Sequence, residues 1–153
     1  MQTIEHLRRL FRFNSWANGK LVASAKDAQS LTALKYVSHL LITEREYFDR
    51  LSGKDSTGFD FWPEMSFDDC DAFNRENSAL FSGLLNDADD EMLEKTAAYK
   101  TSEGVAYRNT WEEMLTHVLF HSMTHRGQAL TMLRLEGFQP PAIDYIIFLR
   151  ERE

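Results

Sequence analysis

Thr110–Gly137 reads TWEEMLTHVLFHSMTHRGQALTMLRLEG. Thr110-Trp111-Glu112-Glu113 has the form of a capping box: the Thr110 hydroxyl accepts from an amide three residues on, and Glu113 reaches back. Gly137 is placed to end the helix that follows. That predicts one helix of about 26 residues, roughly 39 Å long. On it His117, His121 and His125 recur at every fourth position. This spacing stacks them on one face, with neighbouring Cβ atoms roughly 6 Å apart. Two imidazoles so placed can grip one divalent ion. An isolated i, i+4 pair is a weak signal, but three on successive turns among Val118, Leu119, Phe120 and Met123 are harder to dismiss. Packed against other helices they would repel if protonated, so they must be neutral, hydrogen-bonded or metal-bound. Spacing leaves open whether His117/His121 or His121/His125 is the chelating pair.

Working outward from this helix, the preceding segment 87–109 breaks the helical rhythm. Glu91–Leu93 forms at most a short turn. Thr96–Tyr99 and Val105–Arg108 flank a turn-like Ser102-Glu103-Gly104, predicting a small hairpin or extended crossover. Further upstream, Ser66-Phe67-Asp68-Asp69 resembles a capping box and opens a helix to about Asn86, with Phe73, Leu80, Phe81, Leu84 and Leu85 on its buried side. Segment 54–65 holds Gly58, Pro63 and the aromatics Phe59, Phe61 and Trp62, and reads first as a loop with its own apolar packing, with capping one end of the bundle or overhanging a pocket under Phe59–Trp62 as the alternative. Leu31–Leu51 carries the stripe Leu34, Val37, Leu41, Phe48 and Leu51, with His39 in its middle and Gly53 as C-cap. A lone histidine on an apolar helix is ordinarily a hydrogen-bonded core residue, so His39 gains interest only as a partner for the later cluster. Residues 3–27 form a first helix on Ile4, Leu7, Leu10, Phe11, Leu21 and Val22, with Trp16 as a core aromatic and Asn18 as a partly buried polar residue. Beyond Gly137, Gln139-Pro140-Pro141 stops the helix, and Asp144 can cap a short last one, Tyr145–Arg150.

These elements predict an all-α chain of 153 residues folded as one domain. Four long amphipathic helices point to a four-helix bundle, in which facing helices build metal sites in the core. The net charge is −7, and 17 basic residues are scattered among 24 acidic ones, so nucleic acid is not an expected partner. A single cysteine, Cys70, forbids an intramolecular disulfide and fits a reducing compartment. It reads as a small core or boundary residue. The N-terminus lacks a signal-peptide apolar region, and no apolar run reaches the roughly 20 residues that span a bilayer. The expectation is a soluble cytoplasmic protein.

Three histidines leave an open position on a tetrahedral ion, as catalytic sites require. The residue after His121 is Ser122, so the glutamate base of H-E-x-x-H metalloproteases is missing. Glu44 and Glu46 lie near His39 in sequence, but neither stands three or four residues from it, and no general base or other catalytic residue is named. Imidazole suits Zn, Ni, Cu or Fe, and spacing does not choose among them.

His121…His125-Arg126-Gly127-Gln128 resembles the H-x-x-x-H-R-G-Q signature of the DinB/YfiT-like family. Trp16–Asn18 (W-A-N), Val37–Leu40 (V-S-H-L) and the Pro140–Phe148 tail (P-P-x-x-D-Y-I-x-F) are similar to that family too. The resemblance implies an up-up-down-down four-helix bundle with a small extended crossover before the last long helix. It implies a divalent metal, Zn or Ni first and Fe or Mn next, on His39, His121 and His125. Arg126 and Gln128 would flank the site, and His117 would stand beside it. A homodimer is expected. So is a metal-dependent enzyme, a thiol-dependent transferase or a hydrolase, acting on a small molecule or with a low-molecular-weight thiol. The alternative is a non-catalytic, stress-associated bundle that the metal merely stabilises.

Overall fold

The computed structural model describes residues 3–151. Met1, Gln2, Arg152 and Glu153, which the one-domain expectation includes, lie outside the described residues. The chain is mostly helical with one small sheet: α1 Ile4–Ala28, α2 Leu31–Arg50, α3 Phe67–Asp87, α4 Asp90–Leu93, β1 Thr96–Lys100, β2 Ala106–Thr110, α5 Trp111–Leu135 and α6 Tyr145–Arg150. Both expected capping boxes form, Ser66 with Asp69 and Thr110 with Glu113. Asp144 occupies the N-cap of α6, but its side chain makes no capping hydrogen bond. β1 and β2 pair antiparallel from Thr96↔Thr110 to Lys100↔Ala106.

α2 packs chiefly along α5, and α1 along α3. Side-chain pairs fix the directions. Lys26, near the end of α1, meets Asp68 at the start of α3, while Arg8 reaches the Leu85 carbonyl at the other end. Ser38 meets Cys70, and Arg45 meets Asn77, so α2 and α3 run the same way. Ser30 reaches Glu136, and Tyr47 lies against His117, so α2 and α5 run oppositely. The order is therefore up-down-down-up, not the expected up-up-down-down. The reason lies in the connections. Only Gln29 and Ser30 join α1 to α2, and so short a link forces antiparallel neighbours. The long 51–66 segment carries the chain back and lets α3 start beside the start of α2.

The buried apolar residues form two clusters. One gathers Leu7, Phe11, Phe81, Leu85, Met114, Leu115 and Val118, with Ala97 of the hairpin beneath. The other gathers Ala17, Leu21, Val37, Leu40, Leu41, Ala129 and Leu133. Along each long helix the gap between clusters is filled by buried polar residues: Asn14 and Asn18 on α1, Glu44 on α2, Asn74 and Asn77 on α3, Ser122 and Arg126 on α5. The inner face of α3 is thus Cys70, Asn74, Asn77, Phe81 and Leu85. Leu80 points outward at 36% exposure, contrary to the apolar reading of that helix. A helix whose inward positions are polar at mid-length leaves some leucines on its outside. Cys70 is fully buried as expected. Among the described residues no helix is long and apolar enough to cross a membrane.

Candidate metal centre

His39 stands mid-way along α2, and His121 and His125 stand mid-way along the facing α5. The packing of α2 on α5 brings one ring nitrogen from each of the three within 4.8 Å of the others. His39 Nε2 and His121 Nε2 are 3.1 Å apart. That is close to the roughly 3.4 Å edge of a tetrahedron built on bonds of about 2.1 Å.

The surroundings set the tautomers. His39 Nδ1 lies 2.6 Å from the Phe61 carbonyl oxygen, which can only accept, so Nδ1 carries the proton. In neutral His39 the lone pair is then on Nε2, facing His121. His125 Nδ1 donates in the same way to Gln128 Oε1 at 2.5 Å. Outer hydrogen bonds of this kind orient ligating histidines and raise their basicity. His121 is held differently: its Nδ1 is buried with no hydrogen-bond partner in the protein. Its affinity for a proton is correspondingly low. Burial first, then the neighbouring His125, His39 and His117, push it down to about 3. Burial also lowers His39, against the Phe61 carbonyl that raises it. Three converging imidazoles, two of them with Nδ1 engaged by an oxygen acceptor, fit a divalent cation.

A consequence for stability follows from His121. Its folded value lies below the ordinary 6.5, so the unfolded chain takes up the proton first. The stability that neutral His121 contributes is complete above about 6.5 and is lost as the pH falls toward 3. Chelator-treated protein should therefore melt at progressively lower temperature across that window. A melting temperature flat from pH 7 to 4 would show that the imidazole accepts its proton in the folded chain at no cost.

The 54–65 loop does more than pack on itself. The Trp62 ring lies flat on His39, with centroids 3.7 Å apart and planes within 1°. Tyr36 stands edge-on to Trp62 and stacks beside His125. The loop is strapped down at its base. Buried Glu46 accepts from Lys54 Nζ at 2.7 Å and from Ser56 Oγ at 2.6 Å, and Arg50 Nε donates to Ser56 Oγ at 2.9 Å. A cleft of about 540 Å³ abuts Trp62, lined by Leu31, Leu34, Lys35, Ser38 and Met65 among others.

His117 stands outside the cluster, its ring 5.6 Å from His121 and 4.8 Å from Tyr47. It faces a separate small polar cleft with Tyr99, Asn109 and Glu113. Gln128 touches the centre, as expected. Arg126 does not: it is buried, and its guanidinium turns toward α1, donating to Asn14 Oδ1 at 2.5 Å and Asn18 Oδ1 at 2.9 Å. One residue along a helix turns the side chain by about 100°, which takes Arg126 off the histidine face.

Sequence reasoning placed a pocket beside the metal under Phe59–Trp62, and it missed the Phe61 carbonyl and the polar layer around Glu44. Asn14 and Asn18 carried a readable signal, since they lie four apart within the apolar face of α1. The pairing of a loop backbone with His39 had none.

Two facing helices that bring three histidines into one cluster form a site compatible with a metal ion. The model of the DinB family matches residues 5–153, and the chain belongs to that family. No curated protein and no solved structure matches it.

Proposed function

We propose that His39, His121 and His125 bind one divalent metal ion, Zn or Ni before Fe or Mn, and leave a coordination position open. The observation that carries this reading is the convergence of three ring nitrogens within 4.8 Å, with the outer nitrogens of His39 and His125 engaged by oxygen acceptors. A divalent ion bound there would supply Lewis acidity that lowers the pKa of a thiol or water. The chain's own residues orient and shield. Phe61 and Gln128 hold two imidazoles in the ligating tautomer. Trp62 covers one side of His39 and excludes water there, and the adjacent cleft is large enough for a small organic substrate. His117 and Tyr47 flank the other end.

The reaction we favour is that of a metal-dependent enzyme, a thiol-dependent transferase or a hydrolase. The geometry supports the metal half of this reading, and the family resemblance supports the thiol half. The alternative is a non-catalytic bundle in which the ion ties α2 to α5. We further propose that the chain works in the cytoplasm as one domain and a homodimer. The outer face of α5, where Phe120 is 61% and Met123 54% exposed, is the surface that would suit a second copy. Nucleic acid is not a proposed partner.

Elemental analysis of purified protein, with metal uptake by the apoprotein, tests the first claim: about one equivalent is expected, and no bound metal with no uptake would end it. Loaded protein offered a panel of low-molecular-weight thiols and electrophiles tests the second. Melts with and without chelator separate the readings. An enzyme whose bundle is already complete should lose only a few degrees, whereas collapse of the melt on chelation would favour the structural ion.

A further inference from the structure

The four polar gaps between the apolar clusters meet in one hydrogen-bonded cluster. Glu44 Oε1 accepts from Asn14 Nδ2 at 2.7 Å, Asn18 Nδ2 at 2.9 Å and Ser122 Oγ at 2.8 Å. Its Oε2 accepts from Asn77 Nδ2 at 3.3 Å. The two α1 asparagines turn their amide oxygens the other way, to Arg126. Anion, two amide dipoles and cation thus stand in line across the core, each dipole aligned with the field. Glu44 and Arg126 are 3% and 4% exposed, so water screens little of this.

The placement of these residues is specific. Ser122 follows His121, and Arg126 follows His125. Glu44 lies five residues beyond His39 on α2. Each histidine taken as a ligand from α5 is therefore followed by a residue fixed in the polar cluster: Ser122 is tied directly to Glu44 on the helix that carries the third, and Arg126 reaches it through Asn14 and Asn18 of α1.

We propose that the Glu44–Asn14–Asn18–Arg126–Ser122 cluster is a positioning clamp for the histidine centre. It sets the roll and the axial register of α5 against α2, so that His121 and His125 face His39 before any ion arrives. Apolar packing alone tolerates small rotations of one helix against another. A carboxylate that must meet donors from three other helices does not, because a displaced donor is left buried without a partner. The inference rests on the metal reading above, and it assigns Glu44 a role that touches neither ligand nor substrate.

The test is titration of the full-length apoprotein with Co²⁺, reading both apparent affinity and the visible d–d spectrum. Glu44→Gln keeps the shape and removes the charge. Ser122→Ala removes one hydroxyl and leaves a good helix former. Leu21→Ala is the control: it opens the second apolar cluster, where Leu21 is fully buried, without touching the clamp. Wild type should bind one Co²⁺. Glu44→Gln should bind about 10- to 100-fold more weakly, the range found when partners that orient ligands are lost, with altered d–d intensity. Ser122→Ala should show a smaller shift in the same direction, and Leu21→Ala should match wild type. Should Glu44→Gln fail to fold, Ser122→Ala against Leu21→Ala decides alone. Clamp variants with wild-type affinity and spectrum would overturn the proposal, as would equal losses in Leu21→Ala, which would mean general loosening. If wild type itself takes up no Co²⁺, it is the metal reading that has failed, and the clamp's role falls with it.

Discussion

His121→Ala is expected to abolish metal binding, while His117→Ala retains it. Of the three clustered histidines, His121 has the most to lose. Its Nε2 lies 3.1 Å from that of His39, and its ring centroid stands 4.4 Å from that of His125. Removing it leaves two imidazoles on different helices and opens a cavity between them. His117 lies a turn away beside Tyr47, with no ring nitrogen in the cluster. Its loss should change affinity by no more than a few-fold. Titration of each variant with Zn²⁺ checks both, and equal losses would overturn the ligand assignment. The apoprotein of His121→Ala should remain folded, because none of its side-chain hydrogen bonds ties it to the helices' polar cluster.

The second large effect concerns stability. Arg126→Ala is expected to cost about 3 kcal/mol, because removing one member of a buried charged set leaves its partner uncompensated. Asn14 and Asn18 would lose the donor to their Oδ1 atoms, and Glu44 would keep its charge with no cation opposite. Burial already pushes the Arg126 guanidinium down to about 10, against the pull of Glu44. The group therefore sits in the core at a desolvation cost that its partners offset. For a chain of this size the loss corresponds to a fall in melting temperature of about 6–12 °C. Urea unfolding of Arg126→Ala beside wild type measures it. A loss below about 1 kcal/mol would show that water reaches the site and screens it.

These expectations also mark where the sequence was legible. The starts of α3 and α5 were readable from Ser66/Asp69 and Thr110/Glu113, since a capping box is contained in four residues. His39, His121 and His125 were reachable only by resemblance, because spacing on one helix could not choose between His117 and His125 or bring in a residue 82 positions away. The helix directions were misjudged, although the two-residue link at Gln29–Ser30 carried the information. Leu80 was placed inside because periodicity counts apolar residues, and α3 turns Asn74 and Asn77 inward instead.

By itself the sequence determined the long helices, the capping boxes of α3 and α5, the histidine face of α5 and the absence of a protease base, all properties of residues within a few positions of one another. Only the tertiary structure decided which histidine faces a partner, that Trp62 lies on His39, and that Glu44, silent in a helical stripe, gathers donors from α1, α3 and α5. The physical reason is burial. A carboxylate or an imidazole chooses its partners when water leaves, and which groups remain beside it depends on how whole helices pack.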